Sequence, residues 1–180
     1  MRSITLAALL FASTCAFAQS QHFGFKEFVL GGDAATVEKN PRFLCKTNKD
    51  NLMADRTCTL RPGEKETIAG VQVRLMFLNF YDRTLHSMGI SFAPEDFDQV
   101  VNALKEKYGE AKLTTERFQN RMGATFENHT LTWRRPGETV KATQFLGSLD
   151  TSNIAFRTDY AVEEFTRRKR PSVKKQAKDL

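Results

Sequence analysis

IAGVQVRLMFLNFYDRTLHSMGISFAPEDFDQVVNALKEKYG, residues 68–109, is the stretch whose reading decides the fold. Val71, Val73, Leu75 and Phe77 alternate with Gln72, Arg74 and Met76, and this places the first set on one face of a strand. A polar turn at Asp82-Arg83-Thr84 leads into a second alternating run, with Met88, Ile90 and Phe92 set against Ser87, Gly89 and Ser91. Two period-two runs joined by a short turn predict an antiparallel hairpin. Pro94 then opens a helix over residues 94–108, with Glu95 and Asp96 in the first turn, where carboxylates suit the helix dipole. Phe97, Val100, Val101, Leu104 and Tyr108 fall on one helical stripe, and Gly109 supplies a C-cap. The expectation is an α+β fold in which an antiparallel sheet is covered by this amphipathic helix.

Outward from this stretch, the chain reads as short elements of the same kind. His22 to Phe28 is aromatic and suits a strand, and Asp33 after Gly31-Gly32 is a fitting N-cap for a shorter helix at 34–39. Without a following Lys-Ser/Thr the glycine pair has the chemistry of a turn, not of a phosphate loop. Short strands are expected at 42–46 and 57–60, around a polar loop. Residues 110–121 read as a polar loop or edge. Strands follow at 125–134, carrying Leu131 and Trp133, then at 140–146 and 154–157, with a Pro136-Gly137 turn between the first two. A last short helix is predicted over 160–168, ended by Pro171.

The N-terminus carries an export signal. Arg2 precedes an uncharged apolar run, Ile4 to Phe11, and Ala16-Phe17-Ala18 has the small-x-small spacing that a signal peptidase reads. The run is shorter than the ~20 residues of a membrane span. Residues 1–18 are therefore read as a signal peptide cleaved near Ala18, and the protein as periplasmic or secreted. Lipidation at Cys15 is the alternative, although Ala12-Ser13-Thr14 lack the leucine and small residue usual before a lipidated cysteine. After cleavage Cys45 and Cys58 remain, and in an exported chain two cysteines predict one disulfide.

Charge divides the mature chain. The whole sequence has a formal charge of +6, and residues 166–180 alone carry seven Lys/Arg against one Asp. The domain at 19–165 is thus close to neutral. Arg167, Arg168, Lys169, Arg170, Lys174, Lys175 and Lys178 form a basic tail that is expected to be disordered and to act as a solubilising terminus; the alternative is affinity for anionic lipid, lipopolysaccharide or another polyanion. In a cell envelope, nucleic acid is not an expected partner.

The order of helix then strands, given twice, suggests a degenerate tandem repeat. Val29-Leu30-Gly31-Gly32-Asp33 stands before the first helix, and Ala103-Leu104-Lys105-Glu106-Lys107-Tyr108-Gly109 ends the second. At the level of architecture this resembles SmpA/OmlA-type outer-membrane assembly lipoproteins and the β-lactamase-inhibitory-protein fold. The resemblance implies envelope proteins that bind other proteins through a sheet face or loops, and it carries over no functional residue.

No Gly-x-Ser-x-Gly elbow, His-Glu-x-x-His or Walker loop occurs in the sequence. His86 shares the parity of Met88, and His129 that of Leu131; a hydrogen-bonded structural histidine is the reading at both. No catalytic, metal or cofactor residue is assigned. The expected function is an exported, non-enzymatic protein-binding module of the inhibitor, immunity or assembly-factor type. The alternatives are polyanion association through the tail, or an enzyme with an unrecognised site.

Overall fold

A computed structural model describes residues 22–49, 51–119 and 123–176, with side chains in the last helix as far as Lys169. The signal peptide, Cys15 and Lys178 lie outside the described residues. The fold is α+β and dominated by its sheet. The strands are β1 (Gly24–Phe25), β2 (Phe28–Val29), β3 (Phe43–Thr47), β4 (Arg56–Leu60), β5 (Thr67–Ile68), β6 (Val71–Gln72), β7 (Leu75–Tyr81), β8 (Thr84–Phe92), β9 (Lys112–Gln119), β10 (Thr125–Arg135), β11 (Glu138–Thr143) and β12 (Ser152–Thr158). The helices are α1 (Ala34–Glu38), α2 (Phe97–Tyr108, entered through a 3-10 turn at Pro94–Asp96) and α3 (Asp159–Gln176). Eight strands form one antiparallel sheet in the order β3-β4-β7-β8-β12-β11-β10-β9.

One face of this sheet, the inner face, holds the core. A single cross-strand rung runs Cys45, Cys58, Leu78, Met88, Phe156, Val140, Trp133, from β3 to β10. The next runs Met76, Ile90, Ile154, Ala142, Leu131. Phe97, Val100, Val101 and Leu104 of α2 pack into the same core, as do Phe23, Phe28 and Leu30 from the N-terminal strands. Asp33 caps α1 as its residue type predicts, accepting from the Ala35 amide at 2.6 Å. Gly109 leaves α2 at φ 84°, where a side chain would be strained, and its amide closes on the Lys105 carbonyl.

Cys45 and Cys58 sit directly opposite each other and are joined by a disulfide, with Cα atoms 4.0 Å apart. The bond ties the outermost strand to its neighbour. Replacing both cysteines by Ala is expected to lower stability by ~2–4 kcal/mol, read as a shifted urea midpoint.

Three readings of the sequence are corrected. The first concerns strand parity. Val71 and Val73 are buried, but Leu75 is 54% exposed, and Met76, Leu78 and Phe80 take the inner face of β7. The alternation from Val71 to Phe77 spans two elements: β6 belongs to a separate hairpin with β5, and the chain re-enters the main sheet at Leu75 through a bend at Arg74. Phe77 therefore points away from the core.

The second concerns β8. Asn79 pairs with Ser87 and Phe80 with Leu85, leaving His86 as the extra residue of a bulge. Leu85 thereby joins Met88 inside, and His86 does not.

The third concerns the C-terminal segment. Residues 166–180 were expected to be a disordered tail beyond a helix stopped by Pro171, yet α3 continues through Pro171 to Gln176. A proline removes one helical hydrogen bond, but the turn before it is clasped from within and anchored to the body. Glu164 accepts from Arg167 and Arg168, and Arg168 reaches Asp55 at 2.8 Å.

Candidate functional site

The second face of the sheet, the outer face, is only partly covered. α3 crosses one end of it, over Tyr81 and His86, together with the loop before β4. The His86 ring lies 4.4 Å from the Tyr160 ring and 5.9 Å from that of Tyr81, and its Nδ1 is 2.9 Å from the Thr158 hydroxyl. The Arg168 guanidinium stands 4.7 Å from the Tyr81 ring, and the Tyr81 hydroxyl donates to the Leu52 carbonyl. Hydrogen bonds from Arg167 and Arg168 hold the Glu164 carboxyl down to about 2.

Burial lowers the His86 pKa, with Asp82 opposing this weakly. The folded protein thus holds His86 neutral to a lower pH than the unfolded chain, which accepts a proton near pH 6.5. The stabilisation is complete above that value and declines as pH falls below it. Protection factors for the amides of residues 161–165, with the intrinsic pH dependence of exchange divided out, should therefore fall between pH 7 and pH 5, and His86→Gln should remove that fall.

Over the rest of the outer face Arg134, Lys141 and Arg157 are exposed, whereas Asn79, Ser87 and Gly89 are buried. Its rungs follow from the register: Asn79, Ser87, Arg157, Thr139, Arg134 in one, and Phe77, Gly89, Ala155, Lys141, Thr132 in the next. Asn79 links the first rung to β4, accepting from Thr57 at 2.9 Å and donating to Ser87 at 3.2 Å. The far edge of the Phe77 ring sits over Gly89, where an added Cβ would fall 2.2 Å from it, so only glycine fits beneath it. Between α3 and residues 144–151 these rungs floor a groove of about 710 Å³.

Beyond that loop, β9 and β10 extend past the end of β11 as a two-stranded ribbon. β10 pairs with β11 only from Thr130 onward, whereas its pairing with β9 begins at Thr125. Phe118 stacks on Phe126 at 5.6 Å and meets Phe145 edge-on at 6.3 Å. Asn128 fixes the loop there by bonding both the amide and the carbonyl of Phe145, each at 3.0 Å. β9 is one of the two edges of the sheet; among the described residues no strand pairs with its outer side, and it is exposed along its whole length.

The predicted site residues are thus dispersed. Cys45 and Cys58 belong to the inner face and its stability. Arg167 and Arg168 are engaged by Glu164, and Arg168 also by Asp55, so neither is a free cation of a loose tail. Lys169 is exposed on α3; Arg170, Lys174 and Lys175 lie within that helix. His129 bonds Thr115 across the β9–β10 pair at 3.0 Å, and Trp133 is buried, its indole N–H donating to Gly109 O at 2.8 Å. The sequence reading missed Phe77, Lys141, Arg157 and the Phe118–Phe126 stack. The signal available was the apolar residue on each side of β7, which leaves one of them without a core to enter.

Among the described residues no group of three or more His, Cys, Asp or Glu is placed to hold a metal ion, and no helix is long and apolar enough to cross a membrane. No protein-family model, curated protein or solved structure matches this chain.

Proposed function

We propose that the protein is an exported, non-enzymatic binding module of a bacterial cell envelope that docks a partner protein on the β9–β10 ribbon. The carrying observation is β9: an exposed edge of eight residues, backed by the stacked Phe118 and Phe126. An unprotected edge offers a row of backbone donors and acceptors to an added strand, and aromatic rings are the side chains that anchor protein interfaces. Lys112, Glu116 and Arg117 restrict such pairing to a partner of matching charge. The signal peptide places the module outside the cytoplasm in this reading, as an inhibitor, immunity or assembly factor.

The tandem-repeat reading supports the same assignment. α1 is followed in the main sheet by β3, β4, β7 and β8, α2 by β9 to β12, and the two four-stranded meanders meet through their last strands, β8 and β12. The resemblance to SmpA/OmlA-type and β-lactamase-inhibitory-protein-like modules implies tandem helix-plus-antiparallel-sheet units, and we read the element order in that sense. Association of the basic end of α3 with anionic lipid or lipopolysaccharide is a second reading, favoured by its charge.

A photo-reactive residue at Phe118, introduced in the native envelope, should crosslink one discrete partner. The same probe at the exposed Glu106 of α2 should not. Equal labelling at both positions would overturn the docking site.

A further inference from the structure

We propose that the groove on the outer face is a binding site for a single-chain amphiphilic carboxylate, a ligand of the fatty-acid class. Its floor is amphipathic along one rung. Phe77, whose ring covers Gly89, and Ala155 present a ring and a methyl group, and Lys141 follows on the next strand. Val162, Leu146 and Met53 stand around the cavity with 51%, 52% and 43% of their surfaces exposed, which is aliphatic surface available to a hydrocarbon chain.

Charge fixes the other end of the ligand. Arg134, Lys141 and Arg157 line the cavity, and among the described residues none of them has a carboxylate within 4.0 Å. Lys141 and Arg157 lie diagonally on adjacent strands, with Cβ atoms roughly 7 Å apart. Arg134 lies one strand beyond Thr139, roughly 10 Å from Arg157. A single carboxylate between Arg134 and Lys141 would accept charge-assisted hydrogen bonds from both. Asp159 and Glu163 on the α3 side repel an anion, so the head group is directed toward β10 and β11 and the chain lies over Phe77.

An extended peptide does not suit this groove. β8, β12 and β11 are paired on both sides, so the floor has no free backbone groups with which to add a strand. A volume of about 710 Å³ belongs instead to small-molecule sites.

The test is calorimetric titration of the purified protein with dodecanoate below its micelle concentration. Saturable binding of one ligand per chain is expected, with dodecanol ~10-fold or more weaker. Arg134→Gln with Lys141→Gln should weaken dodecanoate by a similar factor without moving the melting temperature. Ala155→Trp should abolish binding by filling the floor; Leu146→Asp, at an exposed loop position, gives the same test should the tryptophan variant fail to fold. Absence of dodecanoate binding to the wild-type protein overturns the proposal, as does equal affinity for the alcohol. Unchanged affinity in the double glutamine variant, or in Leu146→Asp, places the ligand elsewhere and overturns it too. Phe118→Ala should leave the titration unchanged, and Arg134→Gln with Lys141→Gln should leave crosslinking at Phe118 unchanged, so the groove and the ribbon fail independently.

Discussion

Trp133→Ala is expected to lower the unfolding free energy by ~3–5 kcal/mol, the usual cost of removing a buried tryptophan. Trp133 is 3% exposed and ends the inner-face rung that begins at the disulfide. Its indole also satisfies the Gly109 carbonyl at the end of α2. Truncation would therefore leave a cavity beside Val140 and an unpaired carbonyl at a helix terminus. Trp133→Phe separates the two effects: the ring is largely replaced and the hydrogen bond is lost, so ~1 kcal/mol is expected. Because the chain has one tryptophan, unfolding should be followed by circular dichroism in urea, not by intrinsic fluorescence. A Trp133→Ala midpoint no lower than that of Trp133→Phe would mean that packing at this position does not hold the fold.

The parts of the fold legible in the sequence were those with one local solution. The stripe from Phe97 to Leu104 has a single apolar face, so its burial followed from spacing alone. Asp82 and Arg83 sit between two β-rich runs, and both take positive φ, 44° and 67°, as a tight hairpin requires. Cys45 and Cys58 were the only pair left for an exported chain. At Leu75-Met76-Phe77-Leu78 the pattern was ambiguous, because apolar residues occupy both faces and parity is then set by register, a property of the partner strand. The bulge at His86 is of the same kind, as it exists only relative to β7.

The candidate site was hidden for that reason. Placing Leu75 and Phe77 with Val71 and Val73 assigned them to the core and removed two large apolar side chains that mark the outer face. Arg134, Lys141 and Arg157 are separated by turns in the sequence, and they meet only because β10, β11 and β12 pair as neighbours. The C-terminal helix was misread because what anchors it is tertiary. Asp55, more than a hundred residues earlier, holds Arg168, and no local window contains both.

Leu104→Ala is the second large effect, expected to cost ~2–5 kcal/mol. Leu104 is 5% exposed on α2 and belongs to the core that joins this helix to the inner face. Its neighbours on the stripe, Val100 and Val101, are β-branched and stiff at χ1, which limits how far they can collapse into the space left behind. The informative control is Gln99→Ala on the exposed side of the same helix. Gln99 is not inert, since its amide donates to the Ala69 carbonyl at 2.8 Å, in the β5–β6 turn where Ala69 holds φ 51°. Losing one exposed hydrogen bond should cost ~0.5–1.5 kcal/mol, at the low end because water can replace it. The urea midpoints should separate clearly, with unchanged slopes, since neither substitution alters the surface exposed on unfolding by much. Equal midpoints would mean that α2 is held to the sheet by its outer contacts as firmly as by its apolar stripe, and the assignment of its buried face would fall.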